Sequence, residues 1–351
     1  MTATGAVGAP LLPEARIPDP REAPAIRWGI LGPGFIANEF ATAVETGTAS
    51  SVVAVGSRSR DRARAFAERH GVVRSYGTYD ELMADEDVDA VYIASPHSEH
   101  HAHALLALEA GKSVLVEKAF TRNASEARAV IRAATSRGLL VAEAMWARYL
   151  PHYDVIRQVV DRGLLGDVVL VRADHSQLLH PDGPDRLAAP ELAGGALLDL
   201  GVYAVSFADH LLGPPVSVAA RGTLIDRGVD ATVGVVLAYA SGAVAVLTSS
   251  MLARTPSAAE VVGTEARIEL DGPFYSPTAV RLLASDGEVL AERPGVLPGR
   301  IRGFSYQAAE FARCLTSGCR ECDSMPHAAT LRVMSTMDEI RSQIGVRYPG
   351  E

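Results

Sequence analysis

Four short runs carry residue types that could do chemistry. The first, Gly32-Pro33-Gly34-Phe35-Ile36-Ala37, is a G-x-G-x-x-A pattern directly behind the apolar stretch Ile26-Arg27-Trp28-Gly29-Ile30-Leu31. Its first glycine permits a tight turn, its second lets backbone approach a pyrophosphate, and its alanine lets a helix pack close to a strand. A helix starting at Phe35 and Ile36 would offer N–H groups and a favourable dipole to phosphates. Together these features predict a dinucleotide site.

The second run decides which dinucleotide. Where an NAD site usually places Asp or Glu for the ribose 2′-hydroxyl, this chain reads Gly56-Ser57-Arg58-Ser59-Arg60-Asp61-Arg62. Ser57 with Arg58 and Arg62 suits a 2′-phosphate, because a guanidinium forms paired, charge-assisted hydrogen bonds. The expected cofactor is NADP, with NAD the alternative. Ser59 also reads as a helix cap, and the arginines as solvated surface.

The third run is split. Ser95-Pro96-His97-Ser98-Glu99-His100 and Glu117-Lys118-Ala119 follow two further strand candidates, at the strand ends where open α/β sheets bind ligands. Ser95, His97, His100, Glu117 and Lys118 are candidate cofactor contacts, and His100 reads equally as a packed residue at a helix start. Lys118 stands out by composition. Of 33 basic residues only Lys112 and Lys118 are lysines, and a desolvated lysine can lose its proton where arginine keeps it. Lys112 follows a helix-ending glycine, where the C-terminal dipole explains it. In the fourth run, Gly194-Gly195-Ala196-Leu197-Leu198-Asp199-Leu200-Gly201-Val202-Tyr203, Asp199 and Tyr203 are four apart. On a helix they would share one face and could hold a hydroxyl or carbonyl between carboxylate and phenol. The spacing equally fits a surface carboxylate beside a packed tyrosine.

These runs need a scaffold. Strand candidates 26–31, 51–57, 89–95, 113–117 and 139–143 alternate with helix candidates 34–46, 59–70, 98–110 and 123–137. Such alternation means βαβ units and a parallel sheet. Beyond about residue 150 the segments 167–177, 216–225, 229–240, 243–251, 257–264, 266–271 and 279–284 read as strands, interrupted by a helical stretch at 194–212. Short turns between them predict an antiparallel sheet. Helices 303–317 and 326–344 end the chain. The fold class is α/β: an N-terminal Rossmann fold followed by an α+β domain with an open, mainly antiparallel sheet. The boundaries read as a flexible, proline-rich tail over 1–25, a cofactor domain over 26–148, a substrate and oligomerisation domain over 149–302, and helices over 303–351 packing back on the core.

Composition excludes several classes. The 351 residues are 48% hydrophobic with a formal net charge of −9, which rules out wholesale disorder. An acidic balance without a basic block argues against nucleic acid or anionic membrane as partner. A signal-peptide pattern and a charge-free run of about 18 apolar residues are both missing, so the expected location is cytoplasmic. Cys314, Cys319 and Cys322 echo an iron–sulfur spacing that lacks its fourth thiolate, with His327 the only nearby substitute. Reduced thiols and no metal are expected.

The Rossmann run, Glu117-Lys118, the Asp199–Tyr203 pair and Met337-Asp338-Glu339-Ile340-Arg341 resemble the Gfo/Idh/MocA oxidoreductases over about residues 26–349. Within that family, Glu143-Ala144-Met145-Trp146-Ala147-Arg148-Tyr149 and Gly345-Val346-Arg347-Tyr348-Pro349 are most similar to the dimeric dihydrodiol dehydrogenases and NADP-dependent D-xylose dehydrogenases. Tyr203, where many relatives have His, fits the same subgroup. The resemblance implies that Lys118 and Tyr203 are the acid/base pair and Asp199 their orienting neighbour. It implies that Trp146, Arg148 and Tyr203 line the substrate pocket and that His97 and His100 lie near the nicotinamide. The implied reaction is hydride transfer between NADP and a secondary alcohol or carbonyl of a sugar, polyol or cyclic trans-diol. The implied assembly is a homodimer or homotetramer through the C-terminal sheet.

One residue departs from the family pattern: Ala119 stands where the family usually has Pro. A cis bond costs about 2.5–4 kcal/mol before a non-proline, against about 0.5–1 kcal/mol before proline. The Lys118–Ala119 bond is therefore expected to be trans, with the lysine reaching the site by side-chain adjustment. The departure also leaves a second reading, a catalytically silent NADP(H)-sensing regulator, against which Lys118 and Tyr203 both argue. Segment 176–193, with His180, Asp182, Asp185 and Arg186, is expected to border the pocket.

Overall fold

A computed structural model describes residues 12–295 and 300–351. Six strands, β1 (Arg27–Leu31), β2 (Ser51–Gly56), β3 (Arg74–Tyr76), β4 (Ala90–Ile93), β5 (Ser113–Glu117) and β6 (Val141–Ala144), form one parallel sheet in the order β3-β2-β1-β4-β5-β6. That order reverses at β1, creating the switch point beside which doubly wound sheets bind dinucleotides. β4, β5 and β6 are buried at every position, as expected for strands covered on both faces. The covering helices are α1 (Phe35–Gly47), α2 (Arg60–His70), α3 (Tyr79–Met83), α4 (His100–Glu109) and α5 (Ala124–Arg137). The short β3 and α3 escaped the sequence reading. A three-residue strand, half-buried throughout, has no hydrophobic period to detect.

α6 (Pro151–Asp161), also missed, starts with proline at its first turn and buries Tyr153, Val155, Ile156 and Val159. It leads into the second sheet. Strands β7 (Val168–Ser176), β8 (Ser217–Leu224), β9 (Asp230–Ala238), β10 (Val244–Ser250), β11 (Ala259–Gly263), β12 (Ala266–Leu270), β13 (Val280–Ala284) and β14 (Val289–Arg293) are ordered β14-β13-β12-β11-β7-β10-β9-β8. All neighbours are antiparallel except β7 and β10, which run parallel at the sheet's centre. One face alternates inward: Val171 and Ala173 on β7, and Ala245 and Leu247 on β10, are buried. Val169, Val236 and Val246 are exposed.

Between β7 and β8 the expected single helix is split. Leu197–Gly201 forms a wider π-type turn, in which Val202 N–H reaches back five residues to Leu197 O, and α7 (Val202–Leu212) continues from it. The turn's first N–H is held from across the fold: Asp230 on β9 accepts from Leu197 N at 2.6 Å. Only glycine fits beside this carboxylate, because a Cβ on Gly195, at φ +112°, would meet Asp230 Oδ1 at 2.2 Å. The stretch Pro190–Leu212 is apolar enough to cross a membrane by composition, yet 83% of it is buried inside the molecule. A core helix passes the same test.

α8 (Arg300–Ser317) packs along α1, and α9 (His327–Ile344) packs on α5, α7 and β8. The C-terminal residues return to the centre, where Tyr348 Oη donates to Gly194 O at 2.7 Å. The expected tail needs correction. Residues 1–11 lie outside the described residues, but 12–25 are packed as a strap. Arg16 pairs with Asp154 of α6 at 2.5 Å, Arg293 of β14 donates to Pro13 O at 3.0 Å, and Arg313 of α8 donates to Asp19 O at 2.6 Å. Proline content argued for mobility, but Asp154, Arg293 and Arg313 from distant elements supply partners for this segment.

Candidate active site

A cleft of about 630 Å³ runs along the carboxyl ends of β1, β2, β4 and β5 and is closed by residues of β7, the π-type turn and α8. Its two ends are built differently. At one end the backbone makes the surface. Gly32 adopts φ +89°, and a Cβ there would press on Ala94 O at 3.2 Å. A Cβ on Gly34 would meet nothing nearer than Ala94 O at 4.0 Å and would stand in the cleft itself. Gly34 starts α1 without a side-chain cap and without an acidic residue in the first turn. An uncapped helix end facing a hollow that a side chain would fill fits a pyrophosphate. Phe35 and Ile36 line the same surface.

Ser57, Arg58, Ser59, Arg62 and Tyr79 continue this end of the cleft. Ser59 caps α2, accepting from Arg62 N at 3.4 Å, and Ser57 Oγ accepts from Ser59 N at 3.2 Å. Capping and cleft lining coexist, so one reading of Ser59 does not displace the other. The end of β2 presents hydroxyls and guanidinium groups with no carboxylate, a donor set that fits a 2′-phosphate.

The middle of the cleft is a set of buried groups fastened to backbone. His100 has Nδ1 2.9 Å from Ala119 O and Nε2 2.8 Å from Ser95 O. Burial lowers its pKa to about 4, so the neutral ring holds one carbonyl with its single N–H. His100 thus lines the cleft and also packs the ends of β4 and β5 together. His97, brought down to about 3 by burial, points Nδ1 at Ala193 O at 3.1 Å. Glu117, pushed up to about 7 by burial, accepts from Tyr92 Oη and from Lys118 N. Ser95 lies on the cleft wall beside them.

The far end is made of side chains drawn from many elements. Lys118 Nζ donates to Asp199 O at 2.6 Å, lies 3.4 Å from Asp199 Oδ1, and sits 5.0 Å from the centroid of the Tyr203 ring. Burial alone would raise the Asp199 carboxyl, but Lys118 and Arg186 outweigh it and hold the group far below the usual carboxylate range. Tyr203 is buried, which raises its pKa well above the ordinary phenol value, with Glu117 adding to the shift. It is therefore a neutral phenol. Trp146 Nε1 donates to Tyr203 Oη at 2.7 Å. An indole N–H can only donate, so the phenol oxygen is the acceptor and its own proton points elsewhere. That arrangement leaves a phenol O–H donor at the cleft.

Several expectations change here. The Lys118–Ala119 bond is cis. The cost argument treated the bond as isolated, whereas Ala119 O faces His100 and Lys118 Nζ faces Asp199 across the cleft. Arg148 is not part of the cleft lining. It is buried, donates to Ser206 O at 2.9 Å and lies 3.6 Å from Asp209, which also pairs with Arg332 at 2.7 Å. Removing one member of such a buried set costs about 3–5 kcal/mol, so its role is to hold the fold. Asp199 does not hydrogen-bond Tyr203. The π-type turn takes it off that face, and it grips Lys118 and Arg186 instead, the latter at 3.3 Å. Lys112 holds Asp85 O and Val88 O at 2.7 and 2.9 Å rather than its own helix end.

Of segment 176–193, Gln177, Leu179, Pro184, Arg186 and Leu187 reach the cleft; His180, Asp182 and Asp185 do not. Outside that segment, the sequence reading missed His175, Tyr275 and Phe304. His175 stacks against Tyr275 at 4.1 Å and sets its Nε2 2.9 Å from Gln177 Nε2. Strand alternation was the available signal, since His175 shares the inward face of β7 with Val171 and Ala173. Tyr275 and Phe304 lie in a turn and a helix far along the chain, with no local cue.

A family model described as "Oxidoreductase family, NAD-binding Rossmann fold" matches residues 26–145, and one for the "GFO/IDH/MocA C-terminal domain" matches residues 153–269. The trans-1,2-dihydrobenzene-1,2-diol dehydrogenase of Bos taurus is 36% identical over 333 residues, spanning 93% of this chain and 98% of the relative. The Homo sapiens protein of that name is 35% identical over 336 residues, spanning the same shares. A 3-ketoreductase from Actinomadura kijaniata, solved with NADP and TDP-benzene, superposes with a TM-score of 0.81 at 30% identity, covering 92% of this chain and 98% of that one. A levoglucosan dehydrogenase with NADH and levoglucosan gives 0.82 at 20% identity over the same shares and supports the fold alone.

Proposed function

The chain belongs to the Gfo/Idh/MocA family of oxidoreductases, and from that we propose an NADP-dependent dehydrogenase/reductase acting on a secondary alcohol or carbonyl of a sugar, polyol or cyclic trans-diol. The carrying observation is the phenol of Tyr203, fixed by an indole donor at 2.7 Å and overlain by an ammonium group, in one cleft with an uncapped helix end. The relatives named as diol dehydrogenases, and the ketoreductase solved with NADP, support the same reading.

NADP(H), when bound, supplies or takes up the hydride at its nicotinamide ring. Gly32, Gly34 and the α1 N-terminus would hold its pyrophosphate, and Ser57, Arg58 and Arg62 would hold its 2′-phosphate. Tyr203 gives its proton to the carbonyl oxygen in reduction and takes it back from the hydroxyl in oxidation. Burial opposes the phenolate, and the Lys118 ammonium above the ring lowers that cost. Asp199 holds Lys118 in place. Trp146 fixes the phenol and offers an apolar wall, while Arg186, His175 and Gln177 face the substrate's polar edge.

The chain works in the cytosol as a homodimer or homotetramer, with the exposed valines of the second sheet as the assembly face. Light scattering should then give two or four times 37.1 kDa. The deciding experiment is NADPH formation and loss on a panel of aldoses, polyols and trans-diols, with NADP and NAD run side by side. Turnover preferring NADP on one of these classes is expected. Tight NADPH binding with no turnover on any of them would favour the silent sensor instead.

A further inference from the structure

The three cysteines are absorbed by nothing above, and the structure gathers them. Glu310 and Cys314 are four apart on α8 and share a face. Gly318, at φ +77°, ends that helix, and Cys319 N–H turns back to Cys314 O at 2.9 Å. The reversal brings the following loop against the same face. Cys322 is buried there, and Met325 N–H closes its turn on Cys322 O at 3.2 Å. One Glu310 oxygen, Cys314 Sγ and Cys322 Sγ lie within 4.8 Å of one another. All three thiols are free, and Cys319 Sγ lies 3.3 Å from Ser317 Oγ.

We propose that Glu310, Cys314 and Cys322, with Cys319 or a water as fourth donor, bind a borderline-soft divalent cation of the Zn²⁺ class. The sequence reading expected no metal because a fourth donor was missing, with His327 the only substitute. His327 is engaged elsewhere, its Nε2 2.9 Å from Val141 O. Glu310 supplies the carboxylate instead, from a position that cysteine spacing does not reveal.

Two observations support a cation there. The first is spacing: tetrahedral zinc at about 2.0–2.3 Å from each donor needs donors roughly 3.3–3.8 Å apart, so an inward shift of about 1 Å suffices. The second is orientation. Glu310 accepts from Ser324 N at 2.9 Å and from Ser324 Oγ at 2.5 Å, the kind of outer hydrogen bonding that aims a ligating carboxylate. A carboxylate has about four lone-pair sites, so these bonds leave room for a metal.

The role would be structural. The same loop reaches β6 through Val141 N–H to Arg320 O at 3.3 Å, and Ser324 O accepts from Arg148 at 3.4 Å. A bound cation would fasten the end of α8 to the strand that leads into Trp146.

The test uses the full chain, stripped by chelator and kept reduced, titrated with Co²⁺ and then Zn²⁺. One Co²⁺ per chain is expected, with thiolate-to-cobalt charge-transfer absorption, displacement by Zn²⁺ and protection of at least two thiols from a thiol reagent. Glu310→Gln and Cys322→Ser should each weaken binding at least 100-fold, with Cys314→Ala as the alternative if the serine variant misfolds. Absence of charge transfer in the wild-type chain, or equal uptake by wild type and Glu310→Gln, would overturn the proposal.

Discussion

The two ends of the cleft do comparable work with unlike materials. The nucleotide end is shaped by contiguous backbone: two glycines and a helix N-terminus within six residues. The chemical end takes Lys118 from behind β5, Trp146 from behind β6, His175 from β7, Asp199 and Tyr203 from the turn and α7, and Phe304 from α8. A surface made of main chain tolerates change in everything except its small residues. A surface made of side chains depends on packing that reaches across the whole fold.

Substitutions should therefore separate the ends. The largest effect is expected at the chemical end. Tyr203→Phe and Lys118→Met should each lower kcat by about 10²–10⁴-fold, the range of a lost general acid/base, while NADPH affinity by fluorescence titration stays within about threefold. A comparable loss of cofactor binding would mean that the ends are not separable. A smaller effect is expected at the nucleotide end: Arg58→Ala should reduce the NADP-to-NAD ratio of kcat/KM by about 10–100-fold, the worth of a hydrogen bond to a charged group, with kcat nearly unchanged. An unchanged ratio would return the arginines to plain surface.

The smallest effect lies behind the chemical end and appears as stability. Glu143 on β6 is buried, accepts from Thr330 Oγ1 at 2.9 Å, leaves Oε1 without a partner, and is pushed by burial from 4.5 up to about 7. The folded chain then keeps a proton that the unfolded chain gives up above pH 4.5. Its contribution is full below pH 4.5 and falls as pH rises towards 7. Glu143→Gln should therefore gain in Tm relative to wild type between pH 5 and pH 7.5. A constant Tm difference across that range would show that the proton is not held.

The same contrast explains what could be read from the chain. The glycine run and the strand–helix alternation are local, so cofactor-domain strands such as 51–57 and 113–117 were placed to within about a residue of β2 and β5. Lys118 was visible through composition and strand-end position. Tyr203 and Asp199 needed family resemblance, because a spacing of four does not reveal a π-type turn. Family resemblance made Arg148 a pocket residue, but Asp209, far along the chain on α7, claims it. His175, Tyr275 and Phe304 meet only through tertiary packing, and no short-range pattern records that meeting.

The wide turn at Leu197–Gly201 also bears on how this protein can vary over time. Such a turn amounts to one residue more than an ordinary helix would use. Deleting a single residue there would restore regular winding and rotate everything before it by about 100°, carrying Asp199 away from Lys118. Insertions and deletions in this stretch should consequently be purged, whereas exchanges of one apolar side chain for another among Leu197, Leu198 and Leu200 should pass.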